Sequence, residues 1–302
     1  MAGNGSCARQ SSGASKPVTG RPPVTSRKGC NSFAAISPGL RRRLDSGEEH
    51  PLTLAEWLAI DSSKLLRAVL QDLGLETAGM KGRRDRLLAE VNALRGLKAL
   101  ERSRGMGEAL HRAIQGHRRG ETLFERCASH RSPVVRSWAA YALLADPDRT
   151  LKARIAAARR FAADEDMAVR ECAWVSFREW LARDLDRGLR LLEPWVGDKD
   201  AGVRRCAVEA TRPRGVWTRH IDELKENPGR GLALLEPVRS DPSRYVRTAV
   251  GNWLNDASRS RPGWVRALCR RWLRDSPTDG TAWIVNHATR GLRRKKAAAP
   301  QR

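Results

Sequence analysis

The chain repeats itself. Asp164-x4-Val169-Arg170, Asp198-x4-Val203-Arg204 and Asp241-x4-Val246-Arg247 share one spacing, and Val135-Arg136 is an earlier copy without the Asp. The arginines recur at intervals of 34, 34 and 43 residues. Each Val-Arg leads into a short apolar segment: SWAAYALL, ECAWVSF, RCAVEA and TAVGNWL. A unit this short cannot bury an apolar face by itself, so it must stack on copies of itself. The motif Asp is expected to cap the second helix of each unit, because a carboxylate accepts from the free amides of a first turn.

The rest of the chain reads the same way. Leu52, Leu54, Trp57 and Leu58, then Leu65, Leu66, Val69, Leu70 and Leu73, fall at spacings of three and four, which is helical periodicity. Strand-like alternation is absent, and Tyr and Phe together number six. The expected class is all-α. The period and the Asp…Val-Arg signature resemble HEAT repeats, in which helix pairs stack into a solenoid whose second helices form one continuous, usually concave wall. Residues 1–50, rich in Ser, Gly, Pro and Arg, read as a disordered basic arm; an Arg- and Ser-rich start poor in acids also fits a transit peptide. Residues 51–120 read as an N-terminal helical region, 121–292 as the repeat region carrying any DNA-binding or catalytic site, and 293–302 as a frayed basic tail.

Charge narrows the function. Lys+Arg number 57 against 34 Asp+Glu, a formal net charge of +23 with a pI near 11.1. Residues 1–50 carry eight Lys/Arg and three acids, so most of the surplus belongs to the folded part. Such a field attracts polyanions, above all nucleic acid. No apolar run is long enough to span a bilayer, and no secretory signal follows Met1. The six cysteines form no CxxC pair and read as reduced thiols in a cytosol-like compartment. Cys127-x-x-His130, His220 and His287 have no partners at metal spacing. No Walker loop, GxGxxG or nucleophile elbow occurs.

Three acids stand out against this background. Counted from the repeat arginine, Glu171 lies at +1, Glu209 at +5 and Asp256 at +9. The offsets rise by four, about one turn of a helix with ~3.6 residues per turn, so the three carboxylates are expected to climb one wall diagonally. Glu209 is the only acid between Ala201 and His220, and Asp256 the only one between Pro242 and Arg274. A lone carboxylate repels phosphate, so its place in a phosphate-attracting surface suggests a cationic target inside an anionic polymer. The alternative is ordinary pairing with nearby arginines, such as Arg205 with Glu209 at i, i+4. Trp217 follows Pro213 and Gly215 in a basic turn; it is a candidate to stack on a base or a cationic ring, or a plug between helices. Trp253 and Trp272 read as core.

Val203–Trp217, VRRCAVEATRPRGVW, and the Y-V-R…N-x-L-N-D string that ends at Asp256 resemble the AlkC branch of the AlkD-like DNA alkylation repair proteins. The similarity covers roughly residues 125–292. It implies a HEAT-like α-solenoid and a monofunctional DNA glycosylase that excises purines alkylated at N3 or N7, 3-methyladenine above all, from double-stranded DNA. It also implies no metal or organic cofactor. A solenoid with basic ends needs no partner, so a monomer is expected, as is a cytoplasmic, nucleoid-associated bacterial protein. By the same resemblance Asp256 is the main catalytic anion, Glu209 its partner for water or the cationic base, Glu171 the acid of the preceding repeat, and Trp217 the aromatic against the damaged base or its deoxyribose. Arg204, Arg212, Arg214, Arg244 and Arg247 are the candidate phosphate contacts. The rival reading is a HEAT-like nucleic-acid-binding or scaffold protein without catalysis. The glycosylase reading requires the three carboxylates to share a wall and not to be closed off in bidentate clasps.

Overall fold

Each Val-Arg begins a helix whose apolar side is covered by the helices before and after it, and this arrangement sets the architecture. The computed structural model describes residues 27–215 and 218–297, with the side chains of 294–297 left aside. Among them every regular element is helical. In order these are α1 (Pro38–Ser46), α2 (Leu54–Ala59), α3 (Ser62–Val69), α4 (Lys81–Ala93), α5 (Ala99–Ile114), α6 (Gly120–Ala128), α7 (Pro133–Ala145), α8 (Leu151–Ala162), α9 (Met167–Arg183) and α10 (Leu185–Leu192). They continue with α11 (Ala201–Ala210), α12 (Asp222–Glu226), α13 (Leu232–Leu235), α14 (Arg244–Ser258), α15 (Pro262–Asp275), α16 (Asp279–Ala288) and α17 (Arg290–Ala297). Helices α5, α7, α9, α11, α14 and α16 pack in series into one wall; α6, α8 and α15 cover its back. One apolar core runs from Leu40 to Ala288, with Trp253 and Trp272 fully buried in it. At the start of the wall α5 comes so close to α7 that a Cβ on Gly107 would lie 2.3 Å from the Cβ of Tyr141.

The repeat arginine has a fixed structural use. Its Nη1 donates to the carbonyls six and five residues earlier: Arg136 to His130 and Arg131, Arg170 to Asp164 and Glu165, Arg204 to Asp198 and Lys199, Arg247 to Asp241 and Pro242. This ties each helix to the turn that enters it. Arg136 and Arg204 also form two-pronged bonds to the next motif Asp, at 2.7 and 2.8 Å on Asp164 and at 2.6 and 2.9 Å on Asp241. The middle repeat departs: Asp198 is taken by Arg159, while Arg170 donates to the Tyr245 hydroxyl.

Two expectations need correction. The motif Asp is not the cap. Asp166 and Asp200, two residues later, accept from the first amides of α9 and α11. Ser243 occupies the same place before α14 without a side-chain bond. Asp164, Asp198 and Asp241 instead accept the backbone N–H of those cap residues, and Asp164 and Asp241 turn their carboxylates to the preceding repeat. Nor is the arm unstructured through residue 50. Ser37 caps α1 with Pro38 in its first turn and Gly47 ends it at φ 74°. Arg27 bonds both oxygens of the fully buried Glu56, which also accepts the amides of Cys30 and Leu52. Residues 1–26 lie outside the described part. At the other end α17 carries helix to Ala297, beyond the expected start of the frayed tail.

Burial alone pushes the Glu56 carboxyl up, but Arg27 and the two amides outweigh it and hold it at about 2, below the ordinary 4.5. A depressed carboxyl stabilises the folded state above its unfolded value and loses that stabilisation as the pH falls toward the folded one. Residues 27–56 are therefore expected to detach between about pH 4.5 and 2, seen as amide exchange confined to that segment. Glu56→Gln should leave the segment loose at neutral pH too. Arg204→Ala strands the buried Asp241 carboxylate, and removing one member of a buried pair costs about 3–5 kcal/mol; a denaturant-measured loss under ~1 kcal/mol would show that the clamp is not structural.

Candidate nucleic-acid interface and acid cluster

The three sequence-selected acids lie on three consecutive members of the wall: Glu171 just past the first turn of α9, Glu209 near the end of α11, Asp256 near the end of α14. The one-turn climb per repeat brings them together, joined by two guanidiniums. Arg205 Nη2 lies 3.0 Å from Glu171 Oε1 and 3.1 Å from Glu209 Oε1. Arg212 Nη1 lies 3.2 Å from Glu209 Oε2, and its Nε and Nη2 are 2.9 and 2.8 Å from Asp256 Oδ2. The result is an alternating row: Glu171, Arg205, Glu209, Arg212, Asp256. The Glu171 side chain is 39% exposed, whereas those of Glu209 and Asp256 are buried, at 3% and 8%.

The coordination is incomplete at the buried end. Both Glu171 oxygens are taken, since Trp174 Nε1 donates to Oε2 at 2.9 Å. Glu209 Oε1 is buried and lies outside the donor directions of Arg205, so it accepts no hydrogen bond. Asp256 meets Arg212 through Oδ2 alone; among the described residues no donor reaches Oδ1. Among the described residues no guanidinium clasps both oxygens of any acid of the row. The arginines are tuned by the same contacts. Burial pulls the Arg205 and Arg212 guanidiniums down, but Glu209 with Glu171 in one case, and Glu209 with Asp256 in the other, outweigh it and raise both.

Arg178 holds the turn that delivers Arg212. It is 1% exposed, two turns beyond Glu171 on the same side of α9. Its Nη1 donates to Ala210 O at 2.6 Å and its Nη2 to Arg212 O and Arg219 O at 2.7 and 3.1 Å. The close approach requires Gly215: a Cβ there would stand 2.2 Å from Thr218 Oγ1 and 3.1 Å from Arg178 Nη2. Sequence reasoning missed Arg178. The available signal was its spacing of seven from Glu171, which puts both on one helical face. The i, i+4 spacing shows Arg205 only as a local partner of Glu209; its bond across to Glu171 on α9 does not show in that spacing.

The proposed phosphate contacts divide. Arg204 is committed to Asp241 and Arg212 to the acid row. Arg214 donates to Ser260 Oγ at 2.8 Å, and Arg244 and Arg247 lie over the Trp283 ring at 5.5 and 6.0 Å; none of these three has a carboxylate partner among the described residues. Trp217 lies outside the described residues. Among those described, no group of three His, Cys, Asp or Glu is placed to hold a metal ion, and no helix is long and apolar enough to cross a membrane.

Removing the shared cation tests the row. In Arg212→Gln, Glu209 and Asp256 lose the cation they share, and removing one member of a buried charged set costs about 3–5 kcal/mol. A denaturant-measured loss under ~1 kcal/mol would mean that Arg212 does not hold the pair.

Comparison with known proteins places this geometry. The family model described as "DNA alkylation repair enzyme" matches residues 137–290, just over half of the chain and the stretch that holds the whole row. The uncharacterized protein YhaZ of Bacillus subtilis is 38% identical over 118 residues, which are 39% of this chain and 32% of that one. The Pseudomonas fluorescens alkylpurine DNA glycosylase AlkC, bound to DNA containing an abasic site analog, superposes with a TM-score of 0.65 at 26% identity, covering 77% of this chain and 63% of its own. The chain thus spans about a third of the one relative's length and under two thirds of the other's.

Proposed function

This chain belongs to the DNA alkylation repair enzyme family, and from that premise we propose that it is a monofunctional DNA glycosylase removing purines alkylated at N3 or N7, with 3-methyladenine the favoured base. The supporting observation is the buried end of the row: two adjoining carboxylates, each with one oxygen that accepts no hydrogen bond from the described residues, in a chain of net charge +23. The structural likeness to a glycosylase bound to DNA supports double-stranded alkylated DNA as the substrate polymer.

The chemistry needs little else. A purine alkylated at N3 or N7 already carries a positive charge, so it leaves as a neutral base without being protonated. The glycosidic bond breaks, its electron pair goes to the base, and positive charge grows at C1′. Asp256, through Oδ1, stabilises that charge, and a fixed carboxylate does so most strongly where water is scarce. Glu209 orients the attacking water and accepts its proton as oxygen bonds to C1′, leaving an abasic sugar. Glu171 acts mainly through Arg205, holding Glu209 in place. Trp217 is the aromatic proposed for the base or its deoxyribose. Arg214, Arg244 and Arg247 remain for phosphate contacts.

A second reading, that the acids only knit the wall together in a DNA-binding module without chemistry, is favoured by the two arginines that bridge them. Base release separates the two. Incubated with methylated duplex DNA, the wild-type chain is expected to liberate free methylpurine. Asp256→Asn should slow release about 10²–10³-fold, the usual cost of deleting one transition-state electrostatic contact, while DNA binding persists. Full rates in both Asp256→Asn and Glu209→Gln would rule the assignment out.

A further inference from the structure

Next to the acid row, between the C-terminal half of α9 and the segment that follows the 211–215 turn, lies an open cavity of about 600 Å³. Three guanidiniums line it: Arg178, Arg183 and Arg219, with His220 beside them. Arg178 is the buried one, and no carboxylate among the described residues lies within ion-pair distance of it. Among those residues its Nη atoms bond only carbonyls, and its Nε is buried without an acceptor. The Thr218 hydroxyl, also on the lining, is buried without a partner. Burial and the neighbouring Arg212 pull the Arg178 guanidinium down to about 10, against Glu209 and Asp256. Arg183 and Arg219 are exposed, and among the described residues neither reaches a carboxylate within 4 Å.

Two acids also line the cavity, and each already has a cation. Glu179 lies 2.9 Å from Arg104, and Asp222 lies 2.6 Å from Lys225. The unpaired charge left in the cavity is positive. Arginine forks, a free hydroxyl and an open mouth suit a tetrahedral oxyanion, and the cavity shares Arg178 with the turn that carries Arg212.

We propose that this cavity is a phosphate-binding subsite, taking one backbone phosphate of the DNA strand that crosses the acid row. The location rests on the proposed function; the phosphate chemistry rests on the cavity alone. It also moves phosphate contact away from Arg204 and Arg212, whose guanidiniums are held by carboxylates.

The test uses the full chain and a duplex carrying an abasic-site analogue. Each flanking phosphate is replaced in turn by a neutral methylphosphonate, and binding is measured. Wild type is expected to weaken about tenfold at one position, the scale of a lost charge-assisted contact. In Arg183→Ala and Arg219→Ala that same replacement should cost less than twofold. Each variant should also flatten the slope of log K against log salt by at most about 0.9, the share of one phosphate. These side chains are exposed, and Arg178 uses only the carbonyl of Arg219, so the turn itself is spared. If no position shows a penalty, or if the variants keep it, the proposal is overturned. In a second arm, inorganic phosphate is titrated against the Arg178 Nε–H resonance without DNA. Saturation there, with no sensitive position in the duplex, assigns the cavity to a free phosphate anion and overturns the DNA assignment. Base release on the same preparations keeps the failures apart: release without a sensitive phosphate sinks the subsite alone, and a sensitive phosphate without release sinks the glycosylase alone.

Discussion

A carboxylate taken out of water must be given a cation, and a guanidinium taken out of water must be given oxygens. Most of this molecule follows from how its repeats meet both demands. The repeat arginine binds the carbonyls of the turn that enters its own helix, then reaches the Asp at the entrance of the next. One side chain thus fixes both the local turn and the distance to the neighbouring unit. Apolar stacking drives the helices together without direction; the two-pronged arginine–aspartate bond selects the register. A helix that slipped by one turn would keep much of its buried area and lose this bond.

The middle repeat bends the rule, and its departure connects scaffold to site. Arg170 bonds the hydroxyl of Tyr245, whose ring lies under two guanidiniums, Arg170 at 5.2 Å and Arg205 at 4.2 Å. Arg205 is also the cation between Glu171 and Glu209. Helices α9, α11 and α14 are therefore bound to one another at their starts through Tyr245 and toward their ends through Arg212. The carboxylates belong to the same bonded network that holds the repeats in register, so their spacing is set by rigid elements and not by a loop.

Particular residues show what could be read from the chain and what could not. The diagonal of Glu171, Glu209 and Asp256 was legible because helical pitch turns an offset of four into one step up a shared face. The Ser37-Pro38 start and Gly47 end of α1 were equally local signals, submerged in a stretch that its composition made look unstructured. The motif Asp was misread as the cap because a repeat period shows that a position recurs, not which of two nearby carboxylates turns back to the helix. Arg178 could not be found from spacing alone as a clamp: its three acceptors are carbonyls at positions 210, 212 and 219, and a backbone oxygen leaves no mark on the sequence. Residue type alone marks every arginine as a phosphate candidate, and only the three-dimensional contacts separate Arg204, held by Asp241, from Arg219, which meets no carboxylate among the described residues.

The row's composition gives the arrangement its selectivity under the proposed reading. Within the row three carboxylates stand against two guanidiniums, inside a chain that is strongly positive as a whole. At long range the polymer is drawn in whatever bases it carries, because the summed field acts on phosphates. At close range the carboxylates themselves decide. A neutral purine gains nothing from an unbonded carboxylate oxygen, and that oxygen loses water when the strand covers it. A base with its own positive charge offsets that loss. Arginine at the bridging positions spans two acids with one planar fork; a lysine, with one point of charge and no fork, would not hold two acids at fixed spacing. Discrimination between damaged and intact bases then needs no tight pocket around the base, only carboxylates held at fixed places in an otherwise positive molecule.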